Sequence, residues 1–179
     1  FAGPSCVQRG DNIYTNQHGE EIAVLRWDEV EQRQELDVLP SAGGPAVTAD
    51  DSPGWSIPVW MPEGRTIVYT SAADVHPRLR SWNLDTGAVL DLSDGTRACF
   101  DGRIDPSGDR LSYLRFDHEA VPATQALVVR ELASGTEREV TAWPTEYPAG
   151  SEIHDWVRGG YLAFQLNGRV GLFPSFDGA

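Results

Sequence analysis

Lysine is missing altogether from this 179-residue chain, so its 14 basic residues are all arginine, and they face 27 acidic residues for a net charge of −13. A chain this acidic, with its arginines scattered, repels phosphate backbones. That excludes nucleic acid as an expected partner and leaves cations, basic peptides or basic protein faces. Charge of this size also simply keeps a protein soluble. Cysteine is scarce. Cys6 and Cys99 alone cannot make a four-cysteine zinc site, and they leave two readings open, one disulfide or two buried thiols. No apolar run approaches the ~18 residues that cross a bilayer, and no charged-then-apolar leader opens the chain, although a cleaved leader would leave no trace.

The familiar catalytic patterns are missing as well. A serine hydrolase needs its nucleophile on a Gly-x-Ser-x-Gly elbow, whereas Ser56 follows Gly54-Trp55 and precedes Ile57-Pro58. His118-Glu119 is followed by Ala-Val-Pro and so does not begin the His-Glu-x-x-His zinc pattern. The chain therefore reads as a binding module rather than a self-contained enzyme.

Turn formers and a repeat are abundant. Eighteen glycines and twelve prolines mark many short elements, and hydrophobic residues make up 40% of the chain, enough for a packed core. Val59-Trp60-Met61-Pro62-Glu63-Gly64-Arg65 runs into Thr66-Ile67-Val68-Tyr69, and Ile104-Asp105-Pro106-Ser107-Gly108 runs through Asp109-Arg110 into Leu111-Ser112-Tyr113-Leu114. In both, proline presets φ for the first corner of a reversal and glycine accepts the positive φ that completes it, so a hairpin turn feeds a buried strand. Weaker copies follow Gly19 and Gly159, giving spacings of 45, 44 and 51 residues between Gly19, Gly64, Gly108 and Gly159. This is blade-sized periodicity.

Each unit continues with a second strand-and-turn. Arg78 to Leu84 ends in Asp85-Thr86-Gly87, Gln125 to Leu132 ends in Ala133-Ser134-Gly135, and Gln34 to Pro40 leads into Ala42-Gly43-Gly44. Ala88 to Leu92 and Thr136 to Thr141 then read as outer strands. Trp27 to Leu36 is either a helical turn or a charged connection between the second and third strands of unit one. The fourth unit stops early, lacking its outermost strand; either Val7 to Tyr14 supplies that strand, or the chain is a fragment.

The motifs Trp60-Met61-Pro62-Glu63-Gly64, Asp105-Pro106-Ser107-Gly108 and Trp82-Asn83-Leu84-Asp85-Thr86-Gly87 resemble the TolB-like, or WD-type, β-propeller repeats of bacterial envelope proteins. The resemblance is strongest from Pro58 to Thr141. It implies an all-β fold, a β-propeller-like array of about four four-stranded blades, as one domain over residues 1–179 with units near 1–48, 49–95, 96–142 and 143–179. A closed four-bladed ring, part of a larger ring, and a ring completed by a second chain as a homo-oligomer all fit. The same repeats form the lid of prolyl oligopeptidase-like hydrolases.

Candidate ligand-binding residues follow from that arrangement. His154 and Asp155 fall on the innermost strand of unit four, facing the axial channel, where they would bind a metal or a polar ligand or settle against neighbouring backbone. Trp55, Trp143 and Tyr147 lie in Pro-rich connections and serve either as interface anchors or as plugs between blades. Acidic residues gather near unit boundaries, and Asp101 with Asp105 is the candidate calcium pair, since hard cations take several oxygens. No other cofactor is expected. The expected role is a non-catalytic binding or scaffold module of the cell envelope, periplasm or extracellular space, engaging a protein or small ligand through loops and channel mouth. The alternative is the substrate-gating propeller of a larger hydrolase.

Overall fold

The computed structural model describes residues 12–16, 18–31, 33–50, 52–54, 57–144, 153–157, 160–166 and 169–173. Among them there is no helix, and fifteen strands form four antiparallel sheets in chain order. The first sheet holds β1 (Asn12–Thr15), β2 (Glu21–Asp28), β3 (Arg33–Pro40) and β4 (Val47–Asp50). The second holds β5 (Val59–Trp60), β6 (Thr66–Ser71), β7 (Arg78–Asn83) and β8 (Val89–Asp91). The third holds β9 (Ala98–Ile104), β10 (Arg110–Asp117), β11 (Thr124–Glu131) and β12 (Glu137–Pro144). The fourth holds β13 (Ile153–Val157), β14 (Tyr161–Leu166) and β15 (Arg169–Phe173). Within each sheet every strand pairs with its neighbours in sequence, so each sheet is a meander.

Two-residue alternation explains how the sheets stack. Successive side chains of a strand point to opposite faces. Ile67 and Tyr69 of β6 accordingly join Ala23, Leu25, Leu36 and Val38 of the first sheet, while Val68 between them joins Leu111, Tyr113 and Val128 of the third. Leu114, Leu127 and Val129 of the third sheet turn the other way and pack on Trp156 and Leu162 of the fourth. The middle strands of the second and third sheets are thus covered on both faces and read as continuous apolar runs, as sheets sandwiched between neighbours must. The outer β8 is exposed throughout. Among the described residues the apolar clusters link sheets one to two, two to three and three to four, and none links four to one.

Two sequence expectations change. The charged stretch from Trp27 to Leu36 is not helical, and the connection between second and third strands that it offered is shorter than the stretch itself. Trp27 and Asp28 finish β2, Arg33 to Leu36 begin β3, and the ladder runs unbroken to Asp28↔Arg33, leaving Glu29 to Glu31 as the turn. Nor do Asn12 to Tyr14, the described part of the Val7 to Tyr14 segment offered as one of two readings for the fourth sheet's missing strand, lie in that sheet. Asn12–Thr15 pairs with β2 from Asn12↔Leu25 to Thr15↔Ile22, and is therefore the innermost strand of the first sheet. Its register is set by Gly19, which turns the chain at φ +70 and fixes which residues face one another. Residues 7–11 lie outside the described residues, and the fourth sheet has three described strands.

Candidate functional site

The innermost strands enter their hairpins by one repeated corner. Gly19, Gly64 and Gly108 each have positive φ, and each donates its N–H to the carbonyl three residues earlier, on Asn16, Met61 and Asp105 respectively. Those same three residues donate their own N–H to Glu21, Thr66 and Arg110, closing the reversal identically in three sheets. In the first and third sheets a side chain reinforces it. Asn16 Oδ1 accepts from the Glu20 N–H at 3.0 Å, and Asp105 Oδ1 accepts from Asp109 and Arg110 at 2.9 and 3.1 Å. The fourth corner turns at Gly160, φ +77, one residue beyond the glycine expected from sequence.

Indoles tie neighbouring inner strands together. Trp60 Nε1 donates to the Tyr14 carbonyl of the first sheet at 3.1 Å, and Trp156 Nε1 donates to the Arg103 carbonyl of the third, also at 3.1 Å. Both tryptophans stand four residues before their corner glycine, and both acceptors five residues before theirs.

His154 lies in the same layer and is buried, 3% exposed. Neither of its ring nitrogens meets full hydrogen-bond geometry, although the Ser112 backbone approaches the ring, and the nearest carboxylate is Asp101 Oδ2, 3.8 Å from Nδ1. Burial holds the imidazole below the ordinary histidine range; Asp101 opposes this and Arg103 reinforces it. Asp101 reaches this position through a β-bulge. Residues 101 and 102 of β9 stand opposite Tyr113 alone, and Asp101 takes φ +55. Asp101 also pairs with Arg103 at 2.7 Å. Asp101, Arg103 and His154 thus bring β9 and β13 together around one polar cluster.

His154 and Asp155 do not act as a pair, because adjacent strand residues face opposite ways. Asp155 is exposed and accepts a hydrogen bond from the Trp156 N–H at 2.8 Å. Trp143 sits in β12 rather than in a connection and is buried beside Leu114, Leu127 and Trp156. Trp55, Tyr147 and Cys6 lie outside the described residues. Cys99 of β9 is a buried thiol. The two calcium candidates have separate tasks: Asp101 faces Arg103 and His154, while Asp105 is spent on the corner, its Oδ2 also accepting from Ser107 Oγ at 2.8 Å. No group of three or more His, Cys, Asp or Glu suited to a metal occurs among the described residues.

The two ends of the sheets differ. The glycine corners after each first and third strand occupy one end. The opposite end carries the turns after β2, β6 and β10 and the crossings between sheets. There, between the second and third sheets, lies a cleft of about 360 Å³ lined by His76, Thr96, Arg97, Phe116, Asp117 and residues 118–120. The His118 ring stacks on Phe116 with centroids 6.0 Å apart, and Phe116 meets Phe100 edge-on at 5.4 Å. Arg97 Nε pairs with Asp117 Oδ2 at 3.1 Å. None of these residues carries a motif, and the sequence reads His76 and His118 simply as exposed loop residues, so nothing in it pointed toward the cleft.

No family model matches the chain, and no curated protein matches it. Solved structures do. The chain is similar to TolB from Agrobacterium tumefaciens (TM-score 0.60, 13% identity, covering 75% of this chain and 50% of that one). It is similar to oligogalacturonate lyase from Vibrio parahaemolyticus (0.64, 9%, 94% and 54%) and to the β-propeller domain of the Trilobed protease from Pyrococcus furiosus (0.56, 9%, 92% and 58%). At such identities the likeness establishes the fold: these four sheets are β-propeller blades. The chain spans 50–58% of the length of these three structures.

Proposed function

We propose that the chain is a non-catalytic binding module of the cell envelope or extracellular space, part of a longer propeller, which engages a protein or small ligand through its loop-bearing end. The cleft between the second and third sheets carries this reading: about 360 Å³ of concave surface where aromatic rings and charged groups converge on the end opposite the glycine corners. Filling it with Ala120→Trp should remove at least one protein that the native chain retains from an envelope or secreted extract. Thr86→Ala, at the opposite end, should retain it. An identical retained set for all three proteins defeats the proposal.

A second reading, the gating propeller of a prolyl oligopeptidase-like hydrolase, is supported by the likeness to the Trilobed protease propeller domain. The native gene decides between the two. A hydrolase domain encoded beside these blades, with activity on chromogenic peptide substrates that disappears when the blades are deleted, would favour the second.

A further inference from the structure

Val30, Val75 and Val121 are the most exposed large hydrophobic residues among those described, at 87%, 93% and 98%. Isolated apolar side chains on a surface are ordinary. These three occupy one topological station, the loop between second and third strand, in three consecutive sheets. We propose that they form a docking row for a protein face that offers aliphatic hollows rimmed with lysine or arginine, a partner class that rests on the loop-end reading above.

Three features point to that partner. The loops hold no arginine, two of them carry a histidine (His76 and His118), and Glu29, Glu31 and Glu119 flank Val30 and Val121 within two residues, on a chain of net charge −13. A basic face is complementary and an anionic lipid surface is repelled. The loops are also shaped before any partner arrives. Asp28 Oδ1 accepts from the N–H groups of Val30 and Glu31 at 2.8 and 3.1 Å, and Asp117 Oδ1, at the equivalent end of β10, accepts from Glu119 and Ala120 at 3.2 and 3.1 Å. Asp74 is held between Arg78 and Arg80 at 3.0 and 3.2 Å. Finally, valine is stiff at χ1, so burying it against a partner sacrifices little rotamer freedom.

The test uses two fluorescein-labelled decapeptides, one alternating Leu and Lys and the other Leu and Glu, titrated at low salt with anisotropy as readout. The Leu-Lys peptide should bind at least about tenfold tighter than its acidic isomer. The triple variant V30S/V75S/V121S should weaken that binding by about a hundredfold, and Glu119→Lys by about tenfold. All three valines are exposed, so the variant should melt with the native protein. Equal binding of the two peptides, undiminished binding by the triple variant, or tighter binding to phosphatidylcholine vesicles than to the Leu-Lys peptide overturns the proposal. If Ala120→Trp loses a retained protein that the triple variant keeps, the loop-end reading stands and the valine row falls. If both keep it, both fall.

Discussion

A histidine buried in a protein interior, where the charged form is poorly solvated, makes folding sensitive to acid. His154 is buried and its proton affinity is lowered by that burial, so the unfolded chain takes a proton before the folded one does. The stability attached to it is fully present above pH ~6.5, the unfolded histidine value, and is lost as pH falls below that toward the lower folded value. His154→Phe should therefore lose less stability than the native chain between pH 7.5 and 5.5 in urea unfolding, and an equal loss in both would remove His154 from the account. The surface carboxylates act in another window. Arg80 and Arg78 hold Asp91 below the usual carboxylate range, and Arg65 does the same to Asp85. Their contribution is present above pH ~3.9 and disappears as pH drops further, so the two effects separate on the pH axis.

The corner is the repeating element, and its strength differs between copies. Asp105 is 3% exposed and accepts three hydrogen bonds, from Ser107, Asp109 and Arg110, so Asp105→Ala should cost about 3 kcal/mol. Ser107→Ala loses one of these and should cost under about 1 kcal/mol; comparable urea midpoints for the two variants would contradict the assignment. These corners were legible in the sequence because proline and glycine act locally: Pro62-Glu63-Gly64 and Pro106-Ser107-Gly108 announce a reversal wherever they stand. The double-sided middle strands were legible for the same reason, as short apolar runs between such reversals. What depended on pairing was not legible. Nothing local reveals that Asn12–Thr15 pairs with β2, that one extra residue at Asp101 aims a carboxylate toward His154, or that the cleft and the three valines share an end. β12 outran its expected limit because an outer strand tolerates Pro144, whose missing N–H leaves only an edge unbonded.

Across the whole molecule the junctions between sheets are built differently. The first carries the Trp60 indole bond and the Arg65–Glu21 ion pair; the third carries the Trp156 bond and the approach of His154 to Asp101. At the second, Ile104 stands where the others place tryptophan, and the union is mainly apolar, between Val68 and Leu79 on one side and Cys99, Leu111, Tyr113, Ala126 and Val128 on the other. Leu111→Ala should thus cost about 2–5 kcal/mol and raise amide exchange in β6 and β10 together, whereas faster exchange confined to β10 would show that the sheets do not depend on each other. Cys99 lies inside this apolar union, where burial pushes its thiol up to about 11. Sulfur in that setting is chemically silent while the sheets stay together. With Cys6 replaced by serine, the rate at which iodoacetamide consumes the remaining thiol becomes a clock for the separation of two neighbouring blades, readable in the intact protein without any added label.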